Sequence, residues 1–240
     1  MSQTRKRYML KLIIRCALLL TVIGLYFFYP QSFQVLDGMN FFKTFSPLHL
    51  LWLLWMNDMI QQIIPLRTKL ALGSQKVFAF RFSAAKKEIS KEELKKHIKS
   101  MNVGAIKVFI LWWAFIGVLA ALYFLGIFDR KIMFLFTPAF YVCDLICVLI
   151  WCPFRLIMGN RCCTTCRIFN WDHMMMFSPI MFIGGFYSIT LGVTSLICWL
   201  VWEVSILLYP QRFSDKTNAT LKCSQCTDKL CTQYCQKKKK

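Results

Sequence analysis

Long apolar runs alternate along this chain with short polar stretches, and the lengths of the runs carry the first inference. Residues 12–29, 48–64, 103–128 and 132–152 each form a mostly apolar run of 17 to 26 positions. A helix of that length crosses a hydrocarbon core roughly 30 Å thick, and a helix satisfies its own backbone in lipid. The pattern therefore predicts an all-α fold: a polytopic transmembrane helix bundle over 1–209, followed by a cysteine-rich, lysine-terminated tail over 210–240. The first run follows Arg5, Lys6, Arg7, Lys11 and Arg15, much as a signal peptide would begin. It is too long for one and ends in "LYFFYP" without the small residues a peptidase requires, so it is read as a retained span.

The last apolar region, 174–209, has 36 residues, more than one span needs and barely enough for two. As one long helix it makes five spans and puts the tail on the side opposite the N-terminus. As a hairpin turning at Thr190–Ser195 it makes six spans and brings the tail back.

Charge bears on that choice. The loop over 66–102 holds ten Lys or Arg, which places it in the cytoplasm, and the N-terminus with it. Six spans would put 27 Lys or Arg inside and 3 outside, whereas five would put 19 inside and 11 outside. The bias favours six, while the short hairpin arms favour five. Within the loop, Ser90 and Glu93 form a capping box for a helix through "KEELKKHIKSM", expected as an amphipathic stem at the membrane interface.

Composition agrees with the bilayer as solvent: 57% of residues are hydrophobic and the mean hydropathy is +0.49. A net charge of +19 would suggest nucleic acid in a soluble protein. Here the cations flank spans, and no free basic helix interleaved with stacking aromatics is present, so nucleic acid is not an expected partner. The expected partners are the lipid bilayer and another membrane protein.

Candidate chemistry starts with cysteine. The tail carries Cys223, Cys226, Cys231 and Cys235, and the stretch "RCCTTCRIFNWDH" between the last two apolar regions carries Cys162, Cys163 and Cys166. Four thiolates at short spacing wrap a soft metal. If the tail is cytoplasmic, the two C-x-x-C knuckles Cys163/Cys166 and Cys223/Cys226 suit a shared structural zinc site. Adding Cys152, Cys162, Cys231 and Cys235 makes eight thiols, enough for two iron–sulfur clusters and electron transfer. The bland alternatives are cysteines as small apolar or acylated residues beside spans, and two disulfides in an external tail. Asp172 reads as a cap for the following helix, His173 as an interfacial side chain, and Asn218 as a short glycosylation-acceptor pattern.

Inside the spans, Asp58, Asp144 and Glu203 are ionisable groups that require partners or a wet cavity. Asp58 heads a polar stripe with Asn57, Gln61 and Gln62 that would line an ion or substrate path or bond helix to helix. Asp144 points away from the face shared by Cys143 and Cys147. No phosphate loop, zincin helix, nucleophile elbow or workable histidine pair for haem occurs, so an enzyme has no support. The expectation is an integral membrane protein with a cysteine-lined metal site, zinc or iron–sulfur, at the membrane surface. The alternatives are a small transporter or channel subunit using the intramembrane acids, and a membrane scaffold with a disulfide-bonded external tail.

Overall fold

The structure is a computed structural model that describes residues 2–64, 72–85, 89–160, 162–226 and 229–230. Its elements are seven α-helices: α1 (Gln3–Phe28), α2 (Leu48–Ile63), α3 (Lys91–Phe124), α4 (Arg130–Leu149), α5 (Phe154–Met158), α6 (Asp172–Phe177) and α7 (Gly185–Leu208). Short 3₁₀ turns join them, and no strand is present among the described residues. Four helices, α1, α3, α4 and α7, are long and apolar enough to cross a membrane. At 16 residues, α2 falls short of the other four.

Local sequence explains the boundaries. Ser2 accepts the Arg5 backbone N–H to start α1, and the expected Ser90 cap accepts from Glu93 N at 3.1 Å to start α3. The charged stem and the third apolar run then form one continuous 34-residue helix, about 51 Å at 1.5 Å per residue. No break separates a stem from a span. Asp129 caps α4 through Ile132 N at 2.7 Å.

The outward faces of the long helices are apolar. Leu20 and Phe27 on α1, Ile110 and Val118 on α3, and Leu200 and Leu207 on α7 are all exposed. In water such faces would form adhesive patches; against lipid tails they need no cover. The interior is aromatic: Trp55 packs against Phe177 (5.3 Å between ring centroids), Phe134 (6.0 Å) and Tyr141 (6.1 Å), and Phe134 against Tyr187 (5.7 Å).

Contacts at the helix ends set the directions. At one end, which we call distal, Arg130 pairs with Asp37, and Tyr187 donates to the Leu48 carbonyl. At the opposite, basic end, Arg167 reaches both Asn102 and Glu203, and Lys216 pairs with Glu93. Helices α1 and α3 therefore rise to the distal end, and α2, α4 and α7 return. Between Trp171, which bonds Glu203 near the basic end, and Gly185, which abuts Leu36 at the distal end, the chain climbs through α6 and a 3₁₀ turn over Pro179–Phe182.

This geometry corrects the expected hairpin. Helix α7 runs unbroken through Thr190–Ser195, because the Thr190, Thr194 and Ser195 hydroxyls bond back to carbonyls of the preceding turn instead of opening it. The reversal falls earlier, at Gly184–Gly185, both with positive φ. A Cβ on Gly185 would collide with the Leu36 carbonyl, so only glycine allows α7 to start there. The start of the tail lies beside the basic loop: Ala85 N donates to Thr217 O at 2.9 Å, and Asn218 is buried there. That burial leaves the Asn218 side chain unavailable as a glycan acceptor.

Candidate functional site

A polar crevice of about 60 Å³ opens from the basic end between α1, α2, α4 and α6, lined among others by Lys11, Arg15, Asp58, Gln62, Asp144, Asp172 and His173. The 3.6-residue repeat of α2 puts Asp58 and Gln62 on its inward face. Asn57, expected in the same stripe, is exposed on the other side. Arg15 of α1 donates to Asp144 at 2.6 Å and to the Tyr141 carbonyl at 2.7 Å, with its guanidinium over the Tyr141 ring. The Tyr141 hydroxyl donates to Asp58 at 2.6 Å. Gln62 donates to Asp172 at 3.1 Å, and His173 Nδ1 lies 3.4 Å from Asp172.

Three carboxyls thus share one guanidinium and one imidazole in a space largely withdrawn from water. The side-chain carbonyl of Gln62 and Nε2 of His173 are buried there without a hydrogen-bond partner. Above the carboxyls the aromatic cluster around Trp55 fills the bundle toward the distal end.

Of the acids singled out from sequence, Asp58 and Asp144 meet here and Glu203 does not. Glu203 takes both terminal nitrogens of Arg167 and the Trp171 indole N–H, tying the loop before α6 to α7. Sequence reasoning missed four members. Arg15 belongs by sequence to the basic flank of the first run, although its depth within an apolar helix already demands a partner. Tyr141 gave no signal. Asp172 lies in the first turn of α6, with Trp171 as the cap residue, and turns inward instead of capping. His173 is 3% exposed, inside the bundle and not at an interface.

The cysteines arrange differently from the expected metal sites. Among the described residues, no group of three or more His, Cys, Asp or Glu side chains is placed to hold a metal ion. The shared zinc site on Cys163, Cys166, Cys223 and Cys226 therefore finds no support, and Cys231 and Cys235 lie outside the described residues. Instead Cys143, Cys147, Cys152, Cys163 and Cys166 line a second cavity of about 280 Å³, walled mainly by aromatic and apolar side chains. Cys163 starts a tight turn that ends when Cys166 N bonds its carbonyl at 2.9 Å, and Cys162 is half-buried just before it. Burial pushes the Cys163 thiol up to about 12 and raises Cys166, whereas a hydrogen bond from Cys147 draws Cys152 down to about 7.

Lys76, from the basic loop, reaches under this turn. Its ammonium donates to the Cys166 carbonyl at 3.2 Å and lies 5.1 Å from the Trp202 ring. Burial lowers its pKa to about 8. No protein-family model matches the chain, and no curated protein or solved structure is similar to it.

Proposed function

We propose that this protein is a small membrane transporter whose acidic centre, Asp58, Asp144 and Asp172 with Arg15 and His173, takes up protons from the basic end and carries them across the bilayer. The supporting observation is the charge balance of the crevice. Three carboxyls converge on one buried guanidinium, with the Lys11 ammonium exposed at the crevice mouth, and charge left uncompensated at such depth is strongly disfavoured, which suits a site that exchanges protons or another cation. The Gln62 side-chain carbonyl and His173 Nε2, which have no hydrogen-bond partner, supply further polar contacts for water or a cotransported solute. The basic end faces the cytoplasm, in keeping with the excess of Lys and Arg there. The segment from α6 to Gly184 serves as a short, irregular crossing, which lipid tolerates because residues 173–180 are buried in protein. Six crossings then leave both termini inside. The crevice is open inward and closed outward by the aromatic cluster around Trp55, one half of an alternating-access cycle.

The test is a proton flux into proteoliposomes under an imposed potential, followed with an internal pH dye. Asp58→Asn and Asp144→Asn are each expected to lower the flux at least tenfold while the helical circular dichroism and elution volume stay the same. Unchanged flux in both variants would overturn the reading. A reporter fused after Lys240 is expected to score on the same side as one fused before Met1.

A further inference from the structure

Half of the ten described cysteines line the second cavity, which the translocation reading leaves unused. Helix α4 supplies one wall, where Phe140, Cys143 and Cys147 recur on one face at three- and four-residue intervals. From Phe140 to Val148 this wall is about 12 Å long at 1.5 Å per residue. The 20 residues of α4 span about 30 Å, the thickness of the hydrocarbon core, and the wall occupies the half nearest the basic end. The α4 wall thus matches the depth of one leaflet. Trp112 of α3, 5.1 Å from Phe140 and 6.3 Å from Phe154 between ring centroids, forms a second wall. Cys143 is exposed on the outer surface of α4, so the cavity communicates with the lipid.

The lining suits a hydrocarbon chain. Cysteine packs as a small hydrophobe, and thiols set among Trp112, Phe140 and Phe154 leave a slot between large side chains. The two carboxyls in the wall are engaged on the side of the polar crevice, Asp144 by Arg15 at 2.6 Å and Asp172 by Gln62 at 3.1 Å. They repel an anionic group from that side. At the basic end the Cys163 thiol, also in the wall, accepts from Arg155 Nη2 at 3.4 Å. A neutral thiol is a weak acceptor for a guanidinium, whereas a carboxylate takes charge-assisted bonds about twice as strong as neutral ones. Charge therefore gives the slot a direction: an acidic head at Arg155, an apolar chain along α4.

We propose that this cavity binds a long-chain fatty acid from the leaflet at the basic end, its chain upright between Trp112 and Cys147 and its carboxylate on Arg155. A diacyl lipid brings two chains, and a slot of about 280 Å³ one leaflet deep takes one. The site uses neither Asp58 nor His173, so it stands whether or not the crevice carries protons.

The test uses the purified full chain in phosphatidylcholine nanodiscs and a palmitic acid analogue with a diazirine near its methyl end. The expected result is saturable photolabelling, about one label per chain, mapped by peptide mass to Trp112 or to residues 140–148. Palmitic acid should suppress the labelling, and methyl palmitate, which lacks the carboxylate, should need at least tenfold more. Arg155→Gln should weaken labelling about tenfold, the loss of a charge-assisted bond. Cys143→Trp, which fills the opening, should abolish it, and Lys99→Gln, at an exposed cation on α3, should leave it unchanged. Label spread without saturation over the outward faces of α1, α3 and α7, or equal competition by the methyl ester, would overturn the assignment. So would stronger competition by phosphatidylserine than by palmitic acid, which would mark a phospholipid site. A hydroxylamine-labile acyl group on Cys152 or Cys163 of the protein as isolated would also overturn it, in favour of covalent acylation. Should a variant elute as aggregate, the competition between palmitic acid and its methyl ester on the wild-type chain decides the question.

Discussion

Arg15 with Asp144 and Arg167 with Glu203 are both guanidinium–carboxylate pairs inside the bundle, and they are equally enclosed. Side-chain exposures are 10% and 20% in the first pair and 10% and 19% in the second. Their surroundings differ. Around Glu203 both oxygens are occupied by Arg167, the Trp171 indole adds a third donor, and the remaining Arg167 Nε donates to Asn102 at 3.0 Å. Charge and hydrogen bonds cancel locally, and nothing is left to bind. Around Asp144 the Arg15 guanidinium also serves the Tyr141 carbonyl, and two further carboxyls stand within the same crevice. Burial and pairing alone thus do not distinguish the two acids; the balance of their neighbours does.

The comparison breaks most visibly at Glu203. Replacing it with Ala strands a buried guanidinium, and loss of one partner of such a pair costs about 3–5 kcal/mol. Thermal unfolding in detergent should show the largest destabilisation of any variant named here, and a loss below 1 kcal/mol would refute the locked-pair description. Asp144→Asn is the counterpart. It keeps the shape and leaves Asp58 and Asp172 to offset Arg15, so its stability should fall by less than that of Glu203→Ala while proton flux falls at least tenfold. A Glu203→Gln protein that folds should keep its flux.

Lys76 sharpens the contrast through pH. Its folded-state pKa, about 8, lies below the ordinary 10.5, so its contribution is most favourable above 10.5, is lost as pH falls toward 8, and is constant below. Relative to Lys76→Met, wild-type stability should therefore rise between pH 8 and 10.5 and run parallel below pH 7. A flat difference across that range would remove burial as the dominant influence on Lys76. The smallest effect belongs to Asn57→Ala, on the outward face of α2. Unfolding and flux should both stay near wild type, within about 0.5 kcal/mol for stability.

Much of the frame was legible from the chain alone. Apolar run length predicted α1, α3 and α4, the Ser90 capping box appeared where "SKEE" placed it, and the ionisable residues within apolar runs were recognised as needing partners. Those features depend on periodicity, capping and desolvation, which act over a few neighbouring residues. The tertiary structure decided what lies far apart in sequence. It put Arg15 against Asp144, 129 positions away, closed Glu203 onto Arg167, and gathered five of the ten described cysteines around one cavity. It also moved the last reversal from Thr190–Ser195 to Gly184–Gly185. Polar residues can satisfy themselves within a helix, whereas the close approach of Gly185 to Leu36 exists only once the bundle has packed.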